Sequence, residues 1–166
     1  MSKPVSTSTD LPVDAAAAFA AMTAPDWYAR LAAHGGDGTE HVSTTPAADG
    51  GAVVVAKRPV PDAIPAALAK LVPKGTRATQ TDTWGPAQPD GGRRGTWTVT
   101  SPGLPVQLGG DVRLEPAGDG RCRFVVDGAV SVKIPVVGGR LEGPLADLTR
   151  TQATAEGAAM QAVLAP

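Results

Sequence analysis

Polar and apolar residues alternate with a period of two over much of this chain, the spacing that turns one face of a β-strand to a core and the other to water. Residues 4–10, PVSTSTD, open with such a run and predict a first strand. PVDAAAAFAAM then changes to helical spacing, with Pro12 near a helix start, Asp14 in the first turn, and Phe19 and Met22 marking a buried face. A second short helix is predicted in APDWYARLAAHGG, where Pro25 fits the first position, Trp27 and Leu31 share a face, and His34-Gly35-Gly36 ends it. Residues 39–61 read as a hairpin around AADGG, and Ile64, Leu68 and Leu71 predict a short helix between prolines. Four strands follow, at about 76–84, 93–101, 105–115 and 121–134. The chain ends in a long helix whose stripe is Leu141, Leu145, Leu148, Gln152, Ala155, Ala159 and Val163. Gly143-Pro144 interrupts it, which predicts a kink there or a helix starting near Pro144.

The same parity sorts the strand faces. In RATQTDTW, Thr79, Thr81 and Thr83 point one way, and Gln80, Asp82 and Trp84 the other. Val106, Leu108, Val112 and Leu114 share the inward face of one strand, as do Phe124, Val126, Val130, Val132 and Ile134 in the last; Arg113, Arg123, Asp127 and Lys133 face water. Opposite them the second half of the long helix offers mainly Ala155, Ala158, Ala159 and Val163. Medium aliphatics against alanines either pack closely or stand apart around a cavity. Gly109, Gly110 and Gly128 predict bulges or bends that curve the sheet.

Composition narrows the class. With 166 residues the chain is long enough to bury roughly two-thirds of its unfolded surface as one domain, residues 1–166. A net charge of -1, dispersed along the chain, leaves no electrostatic footprint for nucleic acid. The polar N-terminal stretch has no apolar signal core and no run reaches the ~18 apolar residues of a membrane span. The expectation is a soluble cytoplasmic protein with no membrane insertion. Abundant Ala, Gly, Pro, Arg and Thr with no asparagine points to a GC-rich genome.

Chemistry-bearing motifs are scarce. Two histidines and one cysteine give no metal-ligand spacing, so no metal or cofactor is expected. His34 reads as a helix-terminal residue, His41 as an exposed strand residue and Cys122 as a buried, inert thiol. VVGGRLEG has a Gly-Gly turn before a helix with Arg140 nearby, a weak anion-site signal; the glycines serve the tight corner, and Glu142 suits the first turn of the helix. Three readings stay open for Asp82: a one-residue bulge would turn it and Gln80 outward, and on the inward face two alternatives remain. It pairs with Arg94, Arg93 or backbone donors, or it joins Gln80 and Gln152 as a polar fixture in an apolar pocket.

Three stretches, TDTWG at 81–85, RGTWTV at 94–99 and GAVSVKIPVVGGRLEG at 128–143, together with the element order, resemble the START-like (SRPBCC) superfamily. More narrowly they resemble an actinobacterial START-like family of unknown function. Asp82 stands where that family has an acidic residue before TWG, whereas Pro144 and the alanines depart from its leucine-rich, uninterrupted terminal helix. The resemblance implies an α+β helix-grip fold: a curved antiparallel sheet of about seven strands around a long C-terminal helix, two short helices after the first strand and one mid-chain. It also implies a noncatalytic carrier or sensor for a small apolar molecule, lipid- or polyketide-like. The expected site comprises the polar Gln80, Asp82 and Gln152, the aromatic Trp84, Trp97 and Phe124, and the aliphatic Val99, Leu108, Val126, Leu145 and Leu148. Two rivals remain. A cyclase- or dehydratase-like enzyme would draw on Asp82, Arg94 and Tyr28, of which no pair is expected within hydrogen-bond reach in one pocket. An interaction module would expose Trp27, Tyr28 and the mid-chain helix. Oligomeric state is left open.

Overall fold

The computed structural model describes residues 2–166. In chain order its elements are β1 (Lys3–Leu11), α1 (Ala15–Met22), α2 (Trp27–Ala32), β2 (Glu40–Pro46), β3 (Ala52–Pro59), α3 (Ala66–Ala69), β4 (Arg77–Trp84), β5 (Arg93–Thr100), β6 (Val106–Pro116), β7 (Cys122–Val132) and α4 (Gly138–Leu164). The strands form one antiparallel sheet in the order β1-β7-β6-β5-β4-β3-β2, which curves around α4 in a helix-grip arrangement. From β2 to β7 consecutive strands pair, through turns and loops except between β3 and β4, where residues 60–76 with α3 intervene; β1 pairs out of sequence, closing beside β7.

Local chemistry starts the short helices. Asp14 is the N-cap of α1, one residue before the helix, and its carboxylate accepts from the Ala17 amide at 2.8 Å. The mid-chain helix is a single turn, and Leu71 lies beyond it, 46% exposed; Leu68 carries the burial instead. α4 begins six residues ahead of Pro144 and runs through it, contrary to a start at the proline. Proline there removes one helical hydrogen bond, and the residue before it normally clashes with the ring through its Cβ. Gly143 has no Cβ, which removes that clash. Glu142 also corrects the sequence reading: it lies in the second turn, buried, and its Oε1 accepts from the Val132 amide at 3.1 Å. That bond ties the helix to the end of β7. Between them Val136 is in the left-handed region (φ 71°) and 97% exposed, a strained conformation for a β-branched residue.

No bulge accompanies Gly109, Gly110 or Gly128: the β6–β7 register runs unbroken through Gly109↔Ala129 and Gly110↔Gly128. Close approach explains these glycines instead. A Cβ on Gly110 would lie 2.1 Å from the Asp127 carbonyl oxygen, and one on Gly128 would lie 2.8 Å from Cζ2 of Trp97. Gly128 leaves room for the Trp97 indole, whose Nε1 donates to the Asp127 carbonyl at 3.3 Å. The register shift that does occur is in β2, between His41 and Ser43. His41 is half-buried there and bonded to Thr44 Oγ1 at 2.9 Å, so it is not an exposed strand residue.

The choice between close packing and standing apart resolves differently at two places. A Cβ on Gly157 would meet Thr9 Oγ1 at 2.3 Å, so α4 touches β1 directly. Over β4, β5 and β6 the helix stands off, and α2 and the segment around α3 close the gap. The inward face of the second half of α4 is Gln152, Glu156 and Met160, whereas Ala155 and Ala158 are exposed.

Candidate functional site

The gap between α4 and the sheet is a cavity of about 190 Å³. Parity along each strand supplies its walls: Gln80, Asp82 and Trp84 from β4, Trp97 and Val99 from β5, Leu108 from β6, and Phe124 and Val126 from β7. Leu145, Leu148 and Gln152 descend from α4 at helical spacing. All eleven residues singled out from the sequence line this one space. Trp84 is fixed by an edge-on contact with Phe19, ring centroids 6.2 Å apart, and a tilted contact with Phe124 at 6.5 Å.

At one pole the lining is polar, and here the structure corrects the pairing expected for Asp82. Arg94 is exposed and Arg93 lies over the Phe19 ring, 3.6 Å from its centroid, with its Nη1 on the Gly50 and Gly85 carbonyls. Asp82 instead accepts from the Gln80 side-chain amide, at 3.1 and 2.9 Å to its two oxygens. The Gln80 carbonyl oxygen accepts in turn from Arg58 Nη1. Nη2 of Arg58 donates to Glu156 and to Asp37, each at 2.8 Å. This relay runs from Asp82 on β4 through Arg58 on β3 to Glu156 on α4 and Asp37 in the loop before β2.

Burial sets the protonation states. Asp82 is half-buried and lines the cavity, and removal from water pushes its carboxyl up from 3.8 to about 7; the Gln80 hydrogen bond opposes that shift and the nearby Glu156 charge adds to it. Tyr28, which lines the same pole, is raised well above 10.0, first by burial and then by the Asp82 and Glu156 charges, so it stays a phenol. Burial works against the Arg58 cation, yet Glu156 and Asp37 hold its pKa above the ordinary value. Asp37 is lowered although burial opposes it, because Arg58 and Thr39 stabilise its charge. A second cavity of about 80 Å³ lies behind the relay, under residues 35–39, and shares Tyr28, Arg58, Gln152 and Glu156 with the first. At the far end Ser101 Oγ is buried without a partner.

The sequence reading missed Arg58 and Glu156 as site residues and used Tyr28 only in the two rival readings, not in the binding site. The signals were present. Arg58 follows Val54 and Ala56 at period two on the inward face of β3, and Glu156 follows Gln152 by four on α4. Cys122 is fully buried, and desolvation raises its thiol to about 11, as expected for an inert cysteine. No group of His, Cys, Asp and Glu among the described residues is arranged to hold a metal ion, and no described helix is long and apolar enough to cross a membrane.

A curved sheet gripping a terminal helix over a mainly apolar cavity is the START-like, helix-grip fold. Over residues 6–164 the chain matches the family described as Protein of unknown function (DUF2505), and it belongs to that family. No curated protein matches it. Among solved structures it is similar to the Zhui aromatase/cyclase from Streptomyces sp. R1128 (TM-score 0.62, 13% identity, 98% of this chain and 93% of that one). It is similar also to the human StarD13 (DLC2) lipid transfer and protein localization domain (0.60, 11%, 99% and 78%). A START superfamily protein from Mycobacterium smegmatis is a third (0.57, 12%, 97% and 96%). At these identities the likeness is one of fold.

Proposed function

We propose that the protein binds a small, mainly apolar molecule in the space between α4 and the sheet and acts as a carrier or sensor, in the cytoplasm, without transforming it. The observation that carries this reading is the cavity of about 190 Å³, walled by aromatic and aliphatic side chains with polar groups gathered at one pole. An apolar cavity of roughly 150 Å³ already takes up benzene. The eleven residues from β4 to β7 and α4 are the proposed ligand contacts, with Tyr28, Arg58 and Glu156 added at the polar pole. Similarity to a lipid transfer domain and to an aromatase/cyclase supports a hydrophobic ligand of lipid or polyketide type. The GC-rich composition and the mycobacterial structure support an actinobacterial source. Two measurements test the reading: native mass spectrometry of protein taken from its own host, and NMR titration with indane. Expected are a noncovalent organic adduct and shifts confined to cavity residues; absence of both defeats it.

A second reading has one observation in its favour. A carboxyl that titrates at about 7, beside a protonated phenol in a desolvated space, is suited to general acid–base work, as a cyclase or dehydratase acting on a polyketide-type substrate requires. Both Asp82 oxygens are taken up by Gln80, which ranks binding first. The interaction-module reading loses its surface, because Trp27 and Tyr28 are 2% and 5% exposed and Leu68 is buried.

A further inference from the structure

The polar pole has more negative than positive groups. Asp82, Glu156 and Asp37 gather around Arg58, which is the single cation lining either cavity among the described residues. Arg58 is already engaged by Glu156 and Asp37 through one nitrogen and by Gln80 through the other. Asp82 therefore has no cation of its own. Every element packed against it adds to the same imbalance or leaves it unchanged: α2 presents the neutral Tyr28, α4 the anionic Glu156, β4 the neutral Gln80, and β3 the committed Arg58. A carboxylate whose hydrogen-bond partner is the neutral Gln80 amide and which has no cation beside it either keeps its proton or acquires a positive partner.

The rest of the wall favours the second outcome when a ligand is present. Trp27, Tyr28, Trp84 and Trp97 line the space, and aromatic faces attract an ammonium group as well as an apolar body. The volume sets the size. About 190 Å³ exceeds the roughly 150 Å³ that holds benzene but falls far short of a long-chain lipid.

We propose that the cavity selects molecules of one or two rings that carry a protonated amine, seated with the ammonium against Asp82 and within the field of Glu156. This rests on the ligand-binding reading above and narrows it. Binding then exchanges one proton for another charge: the ligand arrives as the ammonium, the Asp82 carboxyl releases its proton to solvent, and the pair formed is neutral. An alcohol of the same shape gains only a hydrogen bond, and a carboxylate meets Glu156 and Asp82 as a third like charge.

The test is a calorimetric comparison of 2-phenylethylamine, 2-phenylethanol and 3-phenylpropanoate on the full chain, with indane as the uncharged reference. At pH 8 the amine is expected to bind about tenfold or more tightly than the alcohol, and the propanoate weakest. Below about pH 7 the amine's affinity should fall about tenfold per pH unit, with a binding heat that depends on the buffer because a proton is released. Asp82→Asn should reduce the amine to the level of the alcohol. The proposal is overturned if the alcohol or the propanoate matches the amine, or if the wild-type affinity for the amine is independent of pH between 5 and 8. That pH slope decides the matter even where Asp82→Asn fails to fold. Indane binding without discrimination among the three sinks this proposal and leaves the cavity reading standing; failure of all four compounds sinks this proposal and, when the native mass spectrum also shows no adduct, the cavity reading with it.

Discussion

Asp82 shows how one residue can weaken a fold while equipping a site. Its carboxyl titrates at about 7 in the folded chain against an ordinary 3.8, so between these values the folded state holds a proton that the unfolded chain has released. Stability contributed by this group is therefore present below about pH 4, declines as pH rises through the window, and is fully lost above about 7. The Asp37 carboxyl, lowered by its partners despite its burial, contributes in the opposite sense and is lost on acidification. A comparison with Asp82→Asn isolates the first effect, because both proteins keep Asp37. The difference in unfolding free energy, variant minus wild type, should rise between pH 4 and 8 by up to about 4 kcal/mol, the ceiling that a shift of this size permits. Urea unfolding at four pH values measures it. A difference that stays flat with pH would mean that Asp82 is well solvated in the folded chain and would remove it from the polar pole.

Among the elements, α4 carries the most contradictory sequence signals, and its glycines have unlike roles. Gly139 faces open space, whereas a Cβ on Gly157 runs into Thr9 of β1. Alanine gains up to about 1 kcal/mol over glycine inside a helix through backbone entropy alone. Gly139→Ala should therefore stabilise slightly, by about 0.5 kcal/mol near the helix end, while Gly157→Ala should destabilise despite the same propensity gain because it pushes the helix off β1. Denaturant midpoints of the two variants decide this, and equal stabilisation by both would mean that helix and strand are not in contact there. The same helix shows what its sequence makes legible. Spacings of three and four revealed the helix itself, and period two on β4 to β7 placed every wall residue named in advance on the correct face. Pro144 suggested a late start because local propensity ignores tertiary anchors; burial of Leu145 and Ala146 and the Glu142–Val132 bond hold the first turns in place. Gly110 and Gly128 looked like bulges because sequence shows a missing side chain but not what occupies its place, the β7 backbone at Gly110 and the Trp97 ring at Gly128. Arg58 and Glu156 were overlooked although their spacing was correct, since charged residues at inward positions are discounted until a partner is visible, and theirs lie 98 residues apart.

At the scale of the molecule the question is why the gap does not collapse. α4 is pinned at two places, by Glu142 to the end of β7 and by Gly157 against β1, both along one side of the sheet. With the helix fixed there, the remaining strands can approach it only by losing curvature, and the Arg58 relay from Gln80 to Glu156 spans the opening as a strut of fixed length. An apolar space of about 190 Å³ lacks packing contacts that an occupant would restore. A side chain can take that place as well as a ligand. Leu108→Phe extends a ring into the gap and should stabilise the free protein by about 1 kcal/mol while weakening indane binding. Leu114 lies on the same strand face but is fully packed and outside the cavity lining, so Leu114→Phe should destabilise by about 1–3 kcal/mol through overpacking. Opposite signs at two positions six residues apart are a signature that only a real internal space produces. If urea unfolding shows both variants destabilised to a similar degree, the helix already rests on the strands throughout, and the walls assigned to a ligand are simply core.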